Sequence, residues 1–387
     1  MINITDKREC CGCTACQSIC KKGAIEMLPD EEGFLYPSVD MEKCIQCGLC
    51  EKVCPIVKRK NTIRENSYLD LFALRIRNHD VLMKSSSGGA FSAIAEYVIS
   101  QGGIVVGATY NEKMQVVHSF ADNFDEYEKM RGSKYSQSNI IGVFKRCKEI
   151  LSSEKTKNRL LLFSGTPCQI HGLKSFLIHD YKNLITVDIV CHSIPSPMVF
   201  EDYIKFVNNH FNDRLTNLQM RYKQKNGWSQ QYSYRYVFES GMSYVDPERL
   251  FNWGTIYFSH VINRPSCEAC PYTNLDRVGD FSIADFWDEN KLRPDIYSKE
   301  GTSLFIINTQ KGQELFKHIT DKINVWRISE REAMQPCLMR PTPSYIERKY
   351  FWKCYKKYGL EKAVKLYCVP SLRKKIRRKI RMILRLV

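Results

Sequence analysis

The sequence predicts a protein of mixed α+β and α/β class. A small cysteine-rich α+β unit precedes a mixed-sheet α/β domain that carries an antiparallel hairpin insertion. Three observations point there. Cysteines crowd the first sixty residues in two copies of one spacing. From residue 68 onward, apolar runs of strand length alternate with helix-length amphipathic runs, as in an α/β domain. Between residues 218 and 245 the pattern turns to aromatic alternation around a Ser-Gly turn, "QQYSYRYVFESGMSYV", which predicts an antiparallel hairpin.

The cysteine spacing carries the most specific chemistry. Cys10, Cys13, Cys16 and Cys20 recur 34 positions later as Cys44, Cys47, Cys50 and Cys54, and both sets follow C-x2-C-x2-C-x3-C. Three thiolates two residues apart can wrap one face of an iron–sulfur cube, with Gly12 and Gly48 letting the loops pass close to it. The fourth cysteine reaches the other cluster. One [4Fe-4S] cluster is therefore expected on Cys10, Cys13, Cys16 and Cys54, and a second on Cys44, Cys47, Cys50 and Cys20. Pro55 follows the second set, as in bacterial-type ferredoxins, which this segment closely resembles. Zinc is the alternative, but its sites use two separated C-x2-C pairs. Cys11 has no counterpart, because Ile45 stands at the matching position, so it is expected to be a bystander.

Composition fits this reading. The chain has 387 residues, 43% hydrophobic and 26% charged, which implies a globular protein of two or three domains. It contains no run of eighteen apolar residues and no basic stretch leading into an apolar run at its start. A cytoplasmic location is therefore expected. There, 17 cysteines at regular spacing act as metal ligands or redox groups rather than as disulfides. The net charge is +16, yet residues 371–387, "SLRKKIRRKIRMILRLV", supply eight of the basic residues and no acid. The body is only mildly basic and no nucleic-acid module is apparent, so nucleic acid is not an expected partner. Apolar residues in the tail recur at near-helical spacing among Arg and Lys, predicting a basic amphipathic helix. Peripheral contact with an anionic membrane is one role for it, and docking on the protein body is the other.

After a polar linker over 56–67, strands are expected at "DLFALRIR", "GGIVVGATY", "MQVVHSF", "RLLLFSGTPC" and "LITVDIVCHSIPSP". Helices are expected within "SSSGGAFSAIAEYVIS", "QIHGLKSFLI" and "MVFEDYIKFVNNHF". The expected divisions are 1–60 for the ferredoxin domain, 68–200 and 201–345 for two parts of the α/β region, and 346–387 for a basic helical tail. Cys168 and Cys191 each end a strand where a loop leads into a helix, the edge at which α/β sites form. With Cys267 and Cys270 of "CEACP" they make four thiols, enough for a third cluster; buried small hydrophobes, or a zinc or redox pair, are the alternatives. "SSSGGAF" is a candidate phosphate cradle, unless Ser86 or Ser87 simply caps the helix. "MRGSKYSQS" sets Arg131 and Lys134 beside small residues, as at a phosphate or flavin site or in a solvated basic loop. "DRVGDFSIADFW" suggests a cluster-supporting turn or a buried ion pair.

These pieces, in this order, resemble the beta subunit of coenzyme F-420 hydrogenase/dehydrogenase, in the bacterial form fused to an N-terminal two-cluster ferredoxin. The matching motifs are "SSSGGAFSAIAEY", "GSKYSQS", "FSGTPCQIHGLK", "DIVCHSIPSP", "CEACP" and "DRVGDFSIADFW". The resemblance implies a flavin, usually FAD, beside an iron–sulfur cluster. It implies that Ser86, Ser87, Gly88, Gly89, Gly132, Ser133 and Lys134 contact flavin or substrate, and that Cys168, Cys191, Cys267 and Cys270 hold the third cluster. Lys134 and His192 are then the candidate catalytic groups, with a packed loop histidine as the alternative for His192.

The expected function is that of an iron–sulfur flavoprotein oxidoreductase. Its partners would be a one-electron donor or acceptor protein and a small-molecule substrate or deazaflavin carrier. Plant chlorophyll-metabolite reductases of the family show that the carrier need not be coenzyme F-420, and ferredoxin-fused members often sit among genes for surface polysaccharide synthesis. The rival is an electron-transfer protein that serves a partner enzyme and has no substrate of its own.

Overall fold

The computed structural model describes residues 1–60, 68–224, 233–248, 250–343 and 345–369. In the N-terminal unit the two cysteine motifs fold as copies of one turn. Gly12 (φ 70°) and Gln46 (φ 53°) occupy matching places, as do Thr14 (φ 62°) and Gly48 (φ 71°). Each motif thus needs two left-handed residues to coil its sulfurs inward; glycine adopts that conformation without strain, whereas Gln46 and Thr14 accept a cost of order 1 kcal/mol. Helices Ala15–Ile19 and Leu49–Lys52 leave from these turns. Strand β1 (Ile25–Pro29) pairs antiparallel with β2 (Leu35–Val39).

The expected linker is corrected at its start. Pro55 opens a helix that runs to Lys60, consistent with the preference of proline for the first helical position. Ile56 is buried in the apolar cluster that also takes in Val53 and Ile170, so this segment packs instead of spanning a gap. Residues 61–67 of the expected linker lie outside the described residues.

The body is built on β3 (Asp70–Ile76), β4 (Ile104–Tyr110), β5 (Val116–Ala121), β6 (Leu161–Gly165) and β7 (Leu184–Ile189). A separate antiparallel sheet holds β8 (Leu215–Met220), β9 (Tyr234–Phe238) and β10 (Ser243–Val245). Then β11 (Phe281–Asp285), β12 (Ser303–Ile307) and β13 (Ile323–Arg327) return to the main sheet. Its order is β13-β3-β12-β11-β7-β6-β4-β5, with β11, β7, β6 and β4 parallel. The mixed sheet and the hairpin (β9–β10) agree with expectation. The hairpin gains a third strand, β8, and its expected start at 230–232 lies outside the described residues. The main sheet takes strands from both 68–200 and 201–345, and residue 200 falls within helix Pro197–Phe211, so the two segments form one structural unit.

Strand alternation sorts the core into two faces. Val105, Leu162, Ile185 and Phe281 pack with helix Ala90–Ser100 on one side. Ile104, Val106, Leu161 and Phe163 pack with helices Val143–Ser152 and Pro167–Leu177 on the other. Helices Glu347–Tyr358 and Leu360–Tyr367 close over the second sheet through Phe351, Ala363 and Val364. The basic amphipathic helix expected at 371–387, and its membrane contact, lie outside the described residues. Among the described residues no helix is long and apolar enough to cross a membrane.

The cysteine-rich unit docks on the second face. Ser196 Oγ donates to the Glu32 carbonyl (2.5 Å), and Arg348 pairs with the Glu32 carboxylate. The closest approach is at Gly172, inside helix Pro167–Leu177, where a Cβ would lie 2.8 Å from Cys13 Cβ and 2.9 Å from Cys13 Sγ. In an ordinary helix interior Gly→Ala stabilises by about 0.5–1 kcal/mol. Here the added methyl meets a close-packed neighbour, and such overpacking costs about 1–3 kcal/mol. Gly172→Ala is therefore expected to lower the thermal midpoint, measured by circular dichroism under anaerobic conditions; an unchanged or raised midpoint would refute the tight docking.

Candidate functional site

Two motifs place the first eight cysteines. One cavity is lined by Cys10, Cys13, Cys16 and Cys54, three thiols from the first motif and the last from the second. Its remaining wall is mostly apolar, with Ile2, Ile4, Met27 and Ile56. Backbone N–H groups point at the sulfurs: Ala15 at Cys13, Gln17 at Cys16, and Ile56 and Val57 at Cys54. Burial, with Cys10, Cys54 and Cys50 as like-charged neighbours, pushes the Cys16 thiol up to about 12. Thiols in that state lose their protons to a bound cation rather than to water. A donor set of four converging sulfurs, N–H groups and apolar walls fits an iron–sulfur cube. The second set fits the same chemistry, since Ala24 N donates to Cys20 Sγ (3.3 Å) and Ile2 N to Cys50 Sγ (3.2 Å). Cys44 and Cys50 both act on the Met1 amine, and Cys47 is exposed.

The third group of thiols gathers at the carboxyl edge of the parallel strands. Strand β6 ends at Gly165, and Thr166 N donates to Gln169 Oε1 (3.0 Å), fixing the helix start that carries Cys168. Strand β7 ends at Ile189, two residues before Cys191. The chain beyond Cys191 then pairs with the stretch before Cys267: Arg264 N donates to Ile194 O (2.7 Å) and Ser196 N to Ile262 O (2.9 Å). That pairing brings Ile194 N within 3.3 Å of Cys267 Sγ. Burial pushes Cys191 far up, with Cys267, Cys168 and Cys270 adding like charge, and it pushes Cys267 to about 12. Four mutually interacting thiols from three loops suit a polynuclear site. Among the described residues, no three His, Cys, Asp or Glu groups are drawn together tightly enough for a single metal ion.

Cys11 is not the bystander expected from its register. It is in hydrogen-bond contact with Cys13 on one side and Cys168 on the other, so it stands between the first thiol cavity and the third group. Sequence reasoning also missed Cys337. Its Sγ lies 3.2 Å from His192 Nδ1, and it acts electrostatically on Cys270 and Cys191. His192 Nε2 lies 2.8 Å from His260 Nε2, and its ring borders Tyr257. Burial lowers the pKa of both histidines, that of His260 to about 4. No periodicity links residues 192, 260 and 337, which explains the omission.

The two small-residue loops meet. Ser133 N and Ser133 Oγ reach Ser86 Oγ at 2.9 and 3.1 Å, so the "SSSGGAF" and "GSKYSQS" segments form one junction. Neither Ser86 nor Ser87 caps helix Ala90–Ser100, whose N-cap is Gly89 without a side-chain cap. Ser87 Oγ instead donates to Thr302 O (2.9 Å). A Cβ on Gly88 would meet Leu74 O at 2.1 Å, so that glycine serves the close approach of the loop to the sheet. Lys134 Nζ donates to the carbonyls of Lys129 (2.8 Å), Arg131 (2.9 Å) and Gly132 (3.2 Å), closing its own loop. Burial pushes its pKa down to about 7, while the three carbonyls favour the ammonium form.

Two buried cations that no motif announced complete the junction. Lys223 Nζ donates to Leu82 O (2.7 Å) and Ser87 O (2.6 Å), and Arg221 pairs with Asp285 (2.7 Å) at the end of β11. Arg221 also reaches Tyr135 OH (3.3 Å), and Tyr135 stacks on Tyr257 at 4.7 Å. Tyr257 is in turn the neighbour of His192. The loop junction and the third thiol group are thus joined by packed aromatic rings.

Residues 9–57 match the family described as 4Fe-4S dicluster domain. Residues 158–331 match the family described as the C terminus of the beta subunit of coenzyme F420 hydrogenase/dehydrogenase. The chain is similar to the F-type subunit of the F(420)H(2) dehydrogenase of Methanosarcina mazei, 23% identical over 197 residues, which are 47% of this chain and 53% of that protein. It is also similar to Coenzyme F420-dependent sulfite reductase of Methanocaldococcus jannaschii, 24% identical over 359 residues, 89% of this chain and 51% of that protein. The chain spans about half the length of these curated relatives. In the solved F420-reducing [NiFe] hydrogenase complex from Methanosarcina barkeri, one chain aligns at 19% identity with a TM-score of 0.47, over 79% of this chain and 94% of that one.

The thiol assignments divide into two outcomes in the full chain purified without oxygen. Cys13→Ser is expected to remove one cluster, about four iron atoms per chain. Cys11→Ser is expected to keep the parent's iron, because a hydroxyl preserves the contacts without being a needed ligand. Iron assay against protein mass checks both, and loss of iron in Cys11→Ser would make Cys11 a ligand.

Proposed function

We propose that this chain, which joins a 4Fe-4S dicluster domain to the C-terminal domain of the coenzyme F420 hydrogenase/dehydrogenase beta type, is an iron–sulfur flavoprotein oxidoreductase. Its proposed substrate is a small organic molecule or a deazaflavin-type carrier. The observation that carries this reading is the contact of Cys11 with both Cys13 and Cys168. Through it the dicluster domain abuts a second thiol group at the sheet edge, and that group leads through Tyr257 and Tyr135 to the Ser86–Ser133 junction.

In this reading Cys168, Cys191, Cys267 and Cys270 hold a third [4Fe-4S] cluster, and the Ser/Gly junction holds the flavin, as FAD. A bound flavin exchanges two electrons with a substrate and single electrons with metal centres. The protein's own residues position and enclose. Ser86 and Ser133 fix the two loops against each other, and Lys134 ties its loop shut through three carbonyls. Lys223 and Arg221 supply positive charge suited to a phosphate-bearing ligand. His192, bonded to His260 and next to the third thiol group, is the group best placed to hold or move a proton there. Exposed Cys47, beside exposed Ile45 and Met41, favours docking of a one-electron carrier protein at the second motif. That last feature serves equally a protein that only delivers electrons to a partner enzyme. The polysaccharide setting implied by the family resemblance supplies sugar derivatives as the first substrates to assay.

Cofactor analysis of the full chain purified without oxygen separates these readings. Three clusters give about 12 iron atoms per chain and two give about 8. A released flavin with its visible absorption band, together with about 12 iron atoms that fall by about four in Cys267→Ala, is the expected result. Full dicluster iron with no flavin and no flavin affinity would overturn the oxidoreductase reading in favour of electron delivery alone. Unchanged iron in Cys267→Ala would refute the third cluster.

A further inference from the structure

Arg264 is a buried cation, 1% exposed, in the strip of chain between the dicluster unit and the third thiol group. Its Nε donates to Cys10 O (2.7 Å), Nη1 to Gln137 Oε1 (3.0 Å) and Nη2 to Leu35 O (2.9 Å). Nη2 also lies 3.6 Å from Cys10 Sγ. The guanidinium stacks on the Tyr36 ring at 4.4 Å. Its fit against the first cysteine loop is close, since a Cβ on Gly12 would lie 2.9 Å from Nη1. At the other end, Arg264 O accepts from Cys267 N (3.0 Å).

The missing partner is what makes this arrangement informative. Buried guanidinium groups are normally paired with carboxylates. The groups that act on Arg264 are Cys10, Cys11, Cys267 and the Tyr36 phenol, and among the described residues no carboxylate pairs with it. Three neutral acceptors satisfy its hydrogen bonds but leave its charge unbalanced in a low-dielectric setting, a state that costs several kcal/mol. The negative charge available nearby is thiolate, on Cys10 of one site and Cys267 of the other.

We propose that Arg264 is a positioning and tuning residue whose positive charge is shared by two iron–sulfur sites and raises the reduction potential of the cluster held by Cys10, Cys13, Cys16 and Cys54. Adding an electron to that cluster makes it more negative, and a fixed cation at 3.6 Å from one of its sulfurs stabilises the reduced state. Arg264 thereby favours residence of the electron on the cluster nearer the third site over the cluster of the second motif. The inference rests on the cluster reading above.

The test is a redox titration followed by electron paramagnetic resonance on the full chain, with the signal of this cluster assigned by its loss in Cys13→Ser. Arg264→Met should lower the equilibrium constant for reducing this cluster at least tenfold, a shift of about 59 mV to more negative potential for one electron. The cluster of the second motif should not move. Arg264→Lys, which keeps charge but not the planar fork, should return most of the shift. Gln137→Glu places a carboxylate on Nη1 without deleting Arg264 and should shift the potential in the same negative direction. If Arg264→Met loses its iron, Gln137→Glu decides alone. An iron-loaded parent with unmoved potentials in the iron-loaded variants overturns this proposal, whereas a parent without iron overturns the cluster reading and this proposal with it.

Discussion

The sheet edge depends on one buried ion pair, Asp188 with Arg277. Both side chains are almost wholly excluded from solvent. Arg277 Nε donates to Asp188 Oδ1 (3.0 Å), Nη1 to Tyr272 O (2.7 Å) and Nη2 to Ile189 O (3.2 Å). Gly279 N donates to Asp188 Oδ2 (2.8 Å). These bonds tie the end of β7 to the chain just after Cys270. Tyr272 OH then reaches His171 Nδ1 (2.9 Å) on the helix that carries Cys168. Breaking such a pair by removing one partner leaves a buried charge and costs about 3–5 kcal/mol. Its place in the fold explains why it is retained: it fixes the relative positions of three loops that bring thiols to one point. Neither loop propensity nor apolar burial would hold those loops in register.

A second constraint acts across the domain boundary. The dicluster unit does not hang from a linker. It presses Cys13 onto Gly172, threads Cys11 toward Cys168, and receives Arg264 from the other side. The residue types follow from that closeness. A helix interior accepts glycine only at a cost, so Gly172 reports a backbone that must approach a sulfur. An arginine stripped of water, with no carboxylate, reports nearby anionic sulfur. Cys11 breaks the register of the repeat because its place is set by the opposite domain, which the second motif does not face.

Much of this was legible in the sequence where it is local. The repeat of eight cysteines and the strand-to-helix turns at Cys168 and Cys191 depend on spacing within short segments, and spacing survives in one dimension. The buried strands from β3 to β7 announced themselves as apolar runs bounded by turn residues. What escaped was long-range. In "DRVGDFSIADFW" both expected features were partly right: Arg277 makes a buried ion pair that supports the thiol loops, but Phe281–Asp285 is a strand, because it pairs with β7 and β12, far away in sequence. Arg264, Lys223 and Cys337 sit in segments without periodicity, so their roles arise only once the sheet edge is assembled. Conversely, composition alone overcounts chemistry. Cys147, Cys354 and Cys368 are buried in apolar clusters and behave as small hydrophobes.

The charges at the domain junction can only be balanced together. Burial raises the thiol pKa values, which opposes ionisation of the cysteines. The same burial opposes the charge of Arg264, which no carboxylate offsets among the described residues. Without bound metal the junction holds neutral thiols beside an uncompensated cation, and both sides are unfavourable. Metal ligation converts thiols to thiolates, and the guanidinium then faces net negative charge instead of neutral sulfur. Cluster binding therefore stabilises the junction by more than its metal–sulfur bonds, because it also removes the desolvation penalty of the arginine. Docking of the dicluster unit and loading of its inner cluster are linked on this argument, and the second motif, whose Cys47 faces solvent, stands outside that linkage.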